Sequence, residues 1–268
     1  MSRRPGLSIA EPFLLVFLLA VSALALFLPA WTAAPPVGQT LKLPIGTLLP
    51  VSVENELSSK KLVKDQNLEA RITQDVPLPG KEKVPAGSKL LGSVVDVPYM
   101  EDGPSSITFR FTSLEIKRAG TIPIVVALRA MTTFTAARDA QISNQENGPG
   151  SPGSWASTMQ IGGDMRYGDG GKVTDRHNHK IGKATTNGGV LARPQDSPGS
   201  PCAGWPDATQ APQALWVFSA NACGLYDMKN VRLSHAGNKE PLGEITLSRD
   251  QGEIKLMKSS ALLLRVVK

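Results

Sequence analysis

The stretch ITFRFTSLEIKRAGTIPIVVAL, residues 107–128, decides the fold class of this chain. Its apolar side chains fall at every second position in two rows, which are Ile107, Phe109 and Phe111, and then Ile122, Ile124, Val126 and Leu128. Because alternate side chains of a strand point to opposite faces, this two-residue period predicts half-buried β-strands rather than a helix. Gly120, between the two rows, marks a turn.

The same pattern extends towards the N-terminus as far as residue 41. Leu49, Val51 and Val53 alternate with polar or proline positions, and Pro or Gly recurs too often between the rows for long helices. About seven short strands in this part of the chain are typical of a small sandwich or barrel. We therefore predict a β domain over residues 41–137, with no helix longer than two turns before residue 131. Ile45 and Leu90 are expected in its core.

Residues 138–213 differ from the segments on either side, because ENGPGSPGS, YGDGGK, TTNGG and QDSPGSP occur there with few aliphatic side chains. This composition predicts a long, partly flexible Gly/Pro-rich insert, with a weak hairpin near Val190 as its regular feature.

Residues 214–268 return to a strand pattern, and the run ALLLRVV is expected to be buried on both faces. The predicted fold is all-β, a small antiparallel barrel or sandwich in which 214–268 packs on 41–137. Two separate β domains are the alternative.

The N-terminal residues 1–34 carry the signals of export. Arg3 and Arg4 precede the apolar run FLLVFLLAVSALALFLPA at 13–30, and small residues follow it. A basic start, an apolar run and small residues describe a signal peptide, but a helix of this length, about 27 Å, also matches a bilayer core. We predict either a cleaved signal or a retained membrane anchor, followed by an extended linker at 35–40. Both alternatives carry the remainder across the inner membrane to the periplasm or cell envelope.

Composition and charge narrow the function classes. The chain has 268 residues, and its 41% of apolar side chains excludes a wholly disordered protein. Beyond residue 34 the 27 Lys and Arg exceed the 22 Asp and Glu, but they are scattered, so no nucleic-acid partner is predicted. Cys202 and Cys223 are the two cysteines, and an even count in an oxidising compartment predicts a disulfide between them. Two buried free thiols are the alternative.

Three residues have the spacing of metal ligands. Asp175, His177 and His179 are two apart, so on a strand they would point the same way and could bind a metal ion, with Asp164 or Asp169 as a further ligand. They lie in the Gly-rich insert, however, and a metal site needs ligands that their neighbours hold rigidly. A solvated loop is therefore the preferred interpretation, and no metal or other cofactor is predicted.

The sequence indicates no catalytic residues. It contains no GxSxG elbow, no GxGxxG opening a helix after a strand, and no phosphate-binding loop. Glu54 and Glu56 are two apart, but we interpret them as solvent-facing residues of an edge strand rather than a glycosidase pair. Aromatic residues offer another kind of site: if Trp155, Tyr167 and Trp205 are exposed on the insert, they are the best contacts for a glycan or a partner protein. Core packing is the preferred interpretation for the aromatic cluster around the cysteines, which consists of Trp205, Trp216, Phe218 and Tyr226.

Residues 45–92 carry a recognisable pattern: IGTLLPVSVENELSSKKLVKDQNLEARITQDVPLPGKEKVPAGSKLLG. Its elements include Leu57-Ser58-Ser59, the run 70–76, and Pro85-Ala86-Gly87-Ser88, and 112–124 continue it. This segment resembles the C-terminal β-barrel domain of the TrbI family, the scaffold proteins of type IV secretion and conjugation channels. It is also similar to uncharacterised exported envelope proteins. The resemblance covers residues 45–124 and implies a β fold, one inner-membrane span and assembly into an oligomeric ring.

Residues within this segment also make local predictions. Pro85 and Gly87 fit a type II turn, with Pro at its second position and Gly near its third. Gly92, inside the strand that follows, predicts a β-bulge or a barrel corner.

Three functions follow from the sequence, in order of preference. The first is a non-enzymatic exported envelope protein, a structural or scaffold component related to secretion or conjugation channels, whose partners are envelope proteins or further copies of itself. The second is an extracytoplasmic binding module for a glycan or a partner protein. The third is a metal-dependent enzyme that uses Asp175, His177 and His179.

Overall fold

A computed structural model describes residues 41–117, 119–146, 157–168, 171–175, 177–185, 189–195, 200–203, 205 and 211–268. The predicted signal or anchor at 1–34 and the linker at 35–40 therefore lie outside the described residues. The described residues belong to one compact unit, Gln39–Lys268. Within them, no helix has the length and apolar character needed to cross a bilayer.

Short strands dominate this unit. In chain order the elements are β1 Leu48–Val53, β2 Leu57–Ser58, β3 Asn67–Ile72, β4 Val76–Pro77, β5 Lys83–Val84, β6 Lys89–Asp96, β7 Ser105–Ile116, β8 Gly120–Pro123, β9 Val126–Thr132, α1 Phe134–Glu146, β10 Ser157–Gln160, β11 Gly163–Gly168, β12 Lys172–Thr174, β13 Lys180–Ala184, β14 Val190–Ala192, β15 Gln213–Ala214, β16 Gly224–Tyr226, β17 Arg232–His235, β18 Ile245–Arg249, β19 Lys255–Leu256 and β20 Ala261–Val266. The described part of 41–131 contains strands and one 3₁₀ turn, Pro79–Lys81, and no helix longer than two turns.

Ten strands form one large sheet that is nearly closed into a barrel. Their order is β16-β9-β20-β1-β3-β6-β7-β18-β17, and β8 also pairs with β7. The neighbours are antiparallel except β16 and β9, which are parallel. Near the two open edges, the amide of Leu128 in β9 donates to the carbonyl of Ala236, just after β17, at 2.7 Å. Most strands of 214–268, namely β16, β17, β18 and β20, thus join the same sheet as the long strands of 41–137, whereas β19 pairs with β2 and β4 pairs with β5.

The barrel interior is filled by the predicted alternating rows. Ile107, Phe109 and Leu114 of β7 are fully buried, and the rings of Phe109 and Phe111 meet edge to face with centroids 6.0 Å apart. Their partners come from strands far away in the sequence, such as Ile245, which lies opposite Phe109 in β18. The two-residue period therefore directs one face of each strand into a common core.

Three neighbouring strands are buried on their outer faces as well. Leu262, Leu264 and Val266 of β20 face the barrel interior, whereas Ala261 and Leu263 belong to a second apolar cluster on the outside. Every residue of β20 is buried, which confirms the prediction for this nearly all-apolar run. The outer cluster also contains Leu48 of β1 and Ala130 of β9, and residues of the insert cover it.

The insert contains more regular structure than its sequence predicted. The helix α1 begins at Phe134, and β10 to β15 form a six-stranded sheet. Each strand contributes only a few apolar side chains, such as Val173 and Ile181. These side chains pack together with the outward-facing apolar residues of the barrel. The sequence shows no period here because strands of two to six residues are too short to display one. The expected hairpin near Val190 is present, since β13 pairs with β14.

Two local predictions in the TrbI-like segment can be compared with the structure. The pairing of β6 with β7 shifts register between Leu91 and Gly92, which confirms the bulge. A turn at 85–88 is also present, and Gly87 has φ of 87° as a type II turn requires. The amide of Ser88 donates to the carbonyl of Pro85 at 3.2 Å, so Pro85 occupies the first position of the turn and not the predicted second one.

The expectation that Ile45 lies in the core is wrong, because its side chain is 49% exposed, whereas Leu90 is fully buried. We expect Leu90→Asp to cost about 4 kcal/mol or more, since a carboxylate would be buried without a partner. Ile45→Asp should change the free energy of unfolding by less than about 0.5 kcal/mol. Urea denaturation of both variants measures the difference, and similar losses would contradict the assigned core.

Candidate functional site

A cleft of about 350 Å³ lies between the hairpin β4–β5 of the barrel unit and the turn between β13 and β14 of the insert. Pro77 and Leu78 line it from the hairpin side, and Leu191 lines it from the insert. Trp216 forms a further wall. The cleft therefore combines residues that are more than a hundred positions apart in the sequence.

Gln74 holds the two sides of the cleft together. Its side-chain carbonyl accepts a hydrogen bond from the amide of Trp216 at 2.8 Å, and its amide donates to the carbonyl of Val190 at 3.0 Å. Gly189 is needed beside it, because a Cβ there would lie 2.4 Å from Oε1 of Gln74. Gln74 is 6% exposed, so these hydrogen bonds satisfy a buried amide.

The mouth of the cleft is charged but balanced. Asp75 accepts hydrogen bonds from Nζ of Lys83 at 2.6 Å and from the amide of Ala86 at 2.8 Å. The hydrogen bond from Lys83, together with that amide, holds the pKa of Asp75 below its usual value despite partial burial. Lys81 and Glu82 complete the charged lining, so the four side chains carry no net charge.

A second depression, of about 250 Å³, adjoins the cleft. Thr73 and Trp216 line both spaces, so Trp216 stands between them. The helix α1 contributes Phe134 and Arg138 to the second depression. The guanidinium of Arg138 lies 5.6 Å from the ring centroid of Phe134, and its Nε is 3.5 Å from the carboxylate of Asp139. Both charged side chains are more than half exposed.

The three candidate metal ligands form a hairpin turn instead of a metal site. One carboxylate oxygen of Asp175 accepts hydrogen bonds from the amides of His177 and His179, both at 2.9 Å, and the other lies 3.3 Å from Nδ1 of His179. Desolvation raises the pKa of Asp175, but these amides and the charge of His179 outweigh it, so its pKa lies below the usual value. Among the described residues no three His, Cys, Asp or Glu side chains are grouped to bind a metal. Asp164 lies in β11 and Asp169 outside the described residues.

We expect His177→Ala to leave the melting temperature unchanged, because the side chain of His177 lies on an exposed turn. Zn²⁺ should likewise leave the melting temperatures of the wild type and of this variant the same. Differential scanning fluorimetry with and without Zn²⁺ measures both. A Zn²⁺-induced rise in the wild type that His177→Ala abolishes would restore the metal-site hypothesis.

Cys202 and Cys223 are joined in a disulfide, as predicted. Trp205 is only 7% exposed and packs in a small cluster with Cys202, and its ring lies 5.8 Å from the guanidinium of Arg265. This burial agrees with the core packing that the sequence favours for the aromatic cluster, and Trp205 is therefore not an exposed contact. Trp155 lies outside the described residues, and Tyr167 lies in β11.

The paired carboxylates near β1 are engaged with cations. Glu54 lies 3.2 Å from Nε of Arg71 and 3.4 Å from Nζ of Lys258. Glu56 is within 3.6 Å of the ammonium groups of Lys61 and Lys255. Both carboxylates are partly exposed, which agrees with the solvent-facing interpretation. The predicted edge strand is wrong, because Glu54 and Glu56 lie in the loop between β1 and β2, and β1 is in the middle of the sheet.

Sequence reasoning did not identify the residues that build the cleft. Gln74 had no signal beyond its place in the TrbI-like run, and Trp216 was noted only as a member of an aromatic cluster. Their hydrogen bond joins positions 142 apart, which no local pattern reveals.

No protein-family model matches the chain, and no curated protein is significantly similar to it. The resemblance of residues 45–124 to the TrbI family accordingly stays a prediction.

Proposed function

We propose that the chain is a non-enzymatic exported protein of a bacterial envelope, acting as a structural component related to the scaffolds of secretion and conjugation channels. The disulfide between Cys202 and Cys223 carries this proposal. Stable disulfides belong to oxidising compartments, and this one joins the insert to the segment entering β16. The export signals at 1–34 provide the route to such a compartment, whether the segment is cleaved or retained.

The TrbI-like residues support the scaffold role through their position. Residues 70–72 end β3, and Gly92 lies in β6, which pairs with it. Both strands are in the middle of the large sheet, so the residues of the resemblance belong to the framework of the barrel. A rigid framework of this kind suits a protein that positions others.

A binding module is the second candidate function, and the cleft beside Trp216 favours it. Ligand sites are concave spaces of roughly 300–1,000 Å³ with a largely apolar lining and a few placed polar groups. The cleft of about 350 Å³ falls within that range. The metal-dependent enzyme has less support, because the carboxylate of Asp175 is occupied by the amides of its own turn.

Fractionation of the producing cells tests the location. With an antibody to the C-terminus, we expect the protein in the periplasm or the inner membrane, with both cysteines resistant to a maleimide label after unfolding until a reductant is added. Cys202→Ser is the matched control, since it leaves Cys223 free to react. Recovery in the cytosol with two reactive thiols would overturn the export proposal.

Chemical cross-linking in intact cells tests the scaffold role. A scaffold should give a ladder of self-linked or mixed envelope species with an amine-reactive cross-linker. A monomer alone, from a protein correctly located in the envelope, would overturn the scaffold role and favour the binding module.

A further inference from the structure

Two neighbouring depressions of different chemistry share one wall. Thr73 and Trp216 line both, so a single extended ligand that crosses Trp216 can occupy the two spaces at once. The larger space is walled by the apolar side chains of Pro77, Leu78 and Leu191. The smaller one presents the exposed guanidinium of Arg138. One side of Trp216 thus offers apolar side chains beside a charge-balanced mouth, and the other offers the guanidinium of Arg138, which lies next to the carboxylate of Asp139.

Several polar groups that line the larger space are already hydrogen-bonded within the protein. The amide of Gln74 makes two hydrogen bonds, and the hydroxyl of Thr73 donates to the carbonyl of Pro50 at 3.1 Å. The carboxylate of Asp75 is bonded to Lys83 and to a backbone amide. An apolar group can therefore enter without leaving these groups unsatisfied.

We propose that this cleft binds an extended peptide segment of a partner protein, with an apolar side chain beside Leu191 and an acidic side chain two residues away beside Arg138. Side chains at positions i and i+2 of an extended chain point the same way, roughly 6.5–7 Å apart, and so can fill two adjoining depressions. The charged pair Lys81 and Glu82 at the mouth suits the polar backbone of such a segment. The inference rests on the binding function, the second candidate above.

Trp216, which lies between the two depressions, is held in its conformation in the absence of a ligand. Trp216 has φ of 51°, a conformation that bulky residues rarely adopt. Gln74 holds its amide in place from the barrel side. Backbone strain of this kind persists only where surrounding contacts enforce it, and it is concentrated at functional sites. A preformed wall lowers the ordering cost of binding.

Fluorescence polarisation with the purified full chain tests the proposal. The probe is a labelled, amidated hexapeptide, Ser-Thr-Phe-Thr-Glu-Ser, compared with versions in which Gly replaces Phe or Lys replaces Glu. We expect the parent peptide to bind at least tenfold more tightly than either version. Leu191→Trp, which fills the larger space, should abolish binding, and its melting temperature shows whether the variant still folds.

Arg138→Glu provides a second variant whose folding is not at risk, because residue 138 is exposed. It should reverse the preference, so that the Lys peptide binds more tightly than the Glu peptide. Arg193→Glu is the matched control, an exposed arginine of the insert that lines neither depression, and it should leave the preference unchanged.

Equal affinities for the three peptides, or a preference that Arg138→Glu leaves intact, would overturn the proposal. Displacement of the parent peptide by a tetrasaccharide of N-acetylglucosamine, without any preference among peptides, would overturn it in favour of a glycan. The proposed location and scaffold role are tested in cells by fractionation and cross-linking, so their failure is distinct from a failure here.

Discussion

Gly92→Ala should unfold most of the barrel. A Cβ at residue 92 would lie 2.0 Å from the carbonyl oxygen of Arg110 and 2.9 Å from the Cα of Phe111. Both atoms belong to the backbone of β7, which cannot rotate away as a side chain could, so β6 and β7 would have to separate. We expect a loss of about 4 kcal/mol or more, in the range reserved for severe core disruption, measured by urea denaturation.

Gly87→Ala is the matched control for this change. Gly87 has φ of 87°, but a Cβ there would meet no atom within 4 Å. The substitution therefore carries only the conformational cost of the left-handed region, about 1–2 kcal/mol. If both variants lost the same stability, the close approach of β6 and β7 at the bulge would be disproved.

Removal of the disulfide between Cys202 and Cys223 should also cause a large loss of stability. The bridge closes a loop with a sequence separation of 21, for which chain entropy alone predicts about 3 kcal/mol. It also pins Trp205 and Cys202 against Ala127 of the barrel. We expect the double variant Cys202→Ser, Cys223→Ser to gain protease cleavage sites between residues 195 and 212, while the barrel stays protected. Limited proteolysis followed by mass spectrometry locates the cuts.

Reduction of the wild type should reproduce this cleavage pattern, and reductant should have no further effect on the double variant. Cuts spread evenly through β1 to β9 would show that the bridge supports the whole barrel instead. Alkylation of both thiols in the unreduced, unfolded wild type would show that no bridge forms.

The barrel strands could be predicted because their period survives over many residues. β7 runs for twelve residues, and its rows of apolar side chains are long enough to show the alternation. The closure of the sheet could not be predicted, since it depends on a contact between Leu128 and Ala236. The insert was predicted, but the six-stranded sheet within it was not, because strands such as β14, of three residues, contain too few positions for a period.

Residue type and spacing left the candidate site residues with more than one interpretation. The spacing of Asp175, His177 and His179 suits a metal ion. The sequence alone does not reveal that the carboxylate of Asp175 accepts hydrogen bonds from the backbone amides of its own turn. Trp205 is aromatic and lies in a polar segment, yet the disulfide next to it brings it into the interior. The cleft depends on Gln74 and Trp216 meeting across the fold, which is decided by packing and not by local pattern.

The parallel pairing of β16 with β9 has an evolutionary consequence. The chain leaves the barrel after Thr132 and returns at Gly224, which lies opposite Ala130, so exit and return are separated by roughly 8 Å at ordinary strand spacings. Ends this close together suit a segment whose length can vary at the surface of its host. This segment is nevertheless attached to the barrel by the apolar cluster with Leu48, Ala130 and Leu263 and by the hydrogen bonds of Gln74. Variation in length and sequence is therefore expected in those parts of the segment that make neither contact.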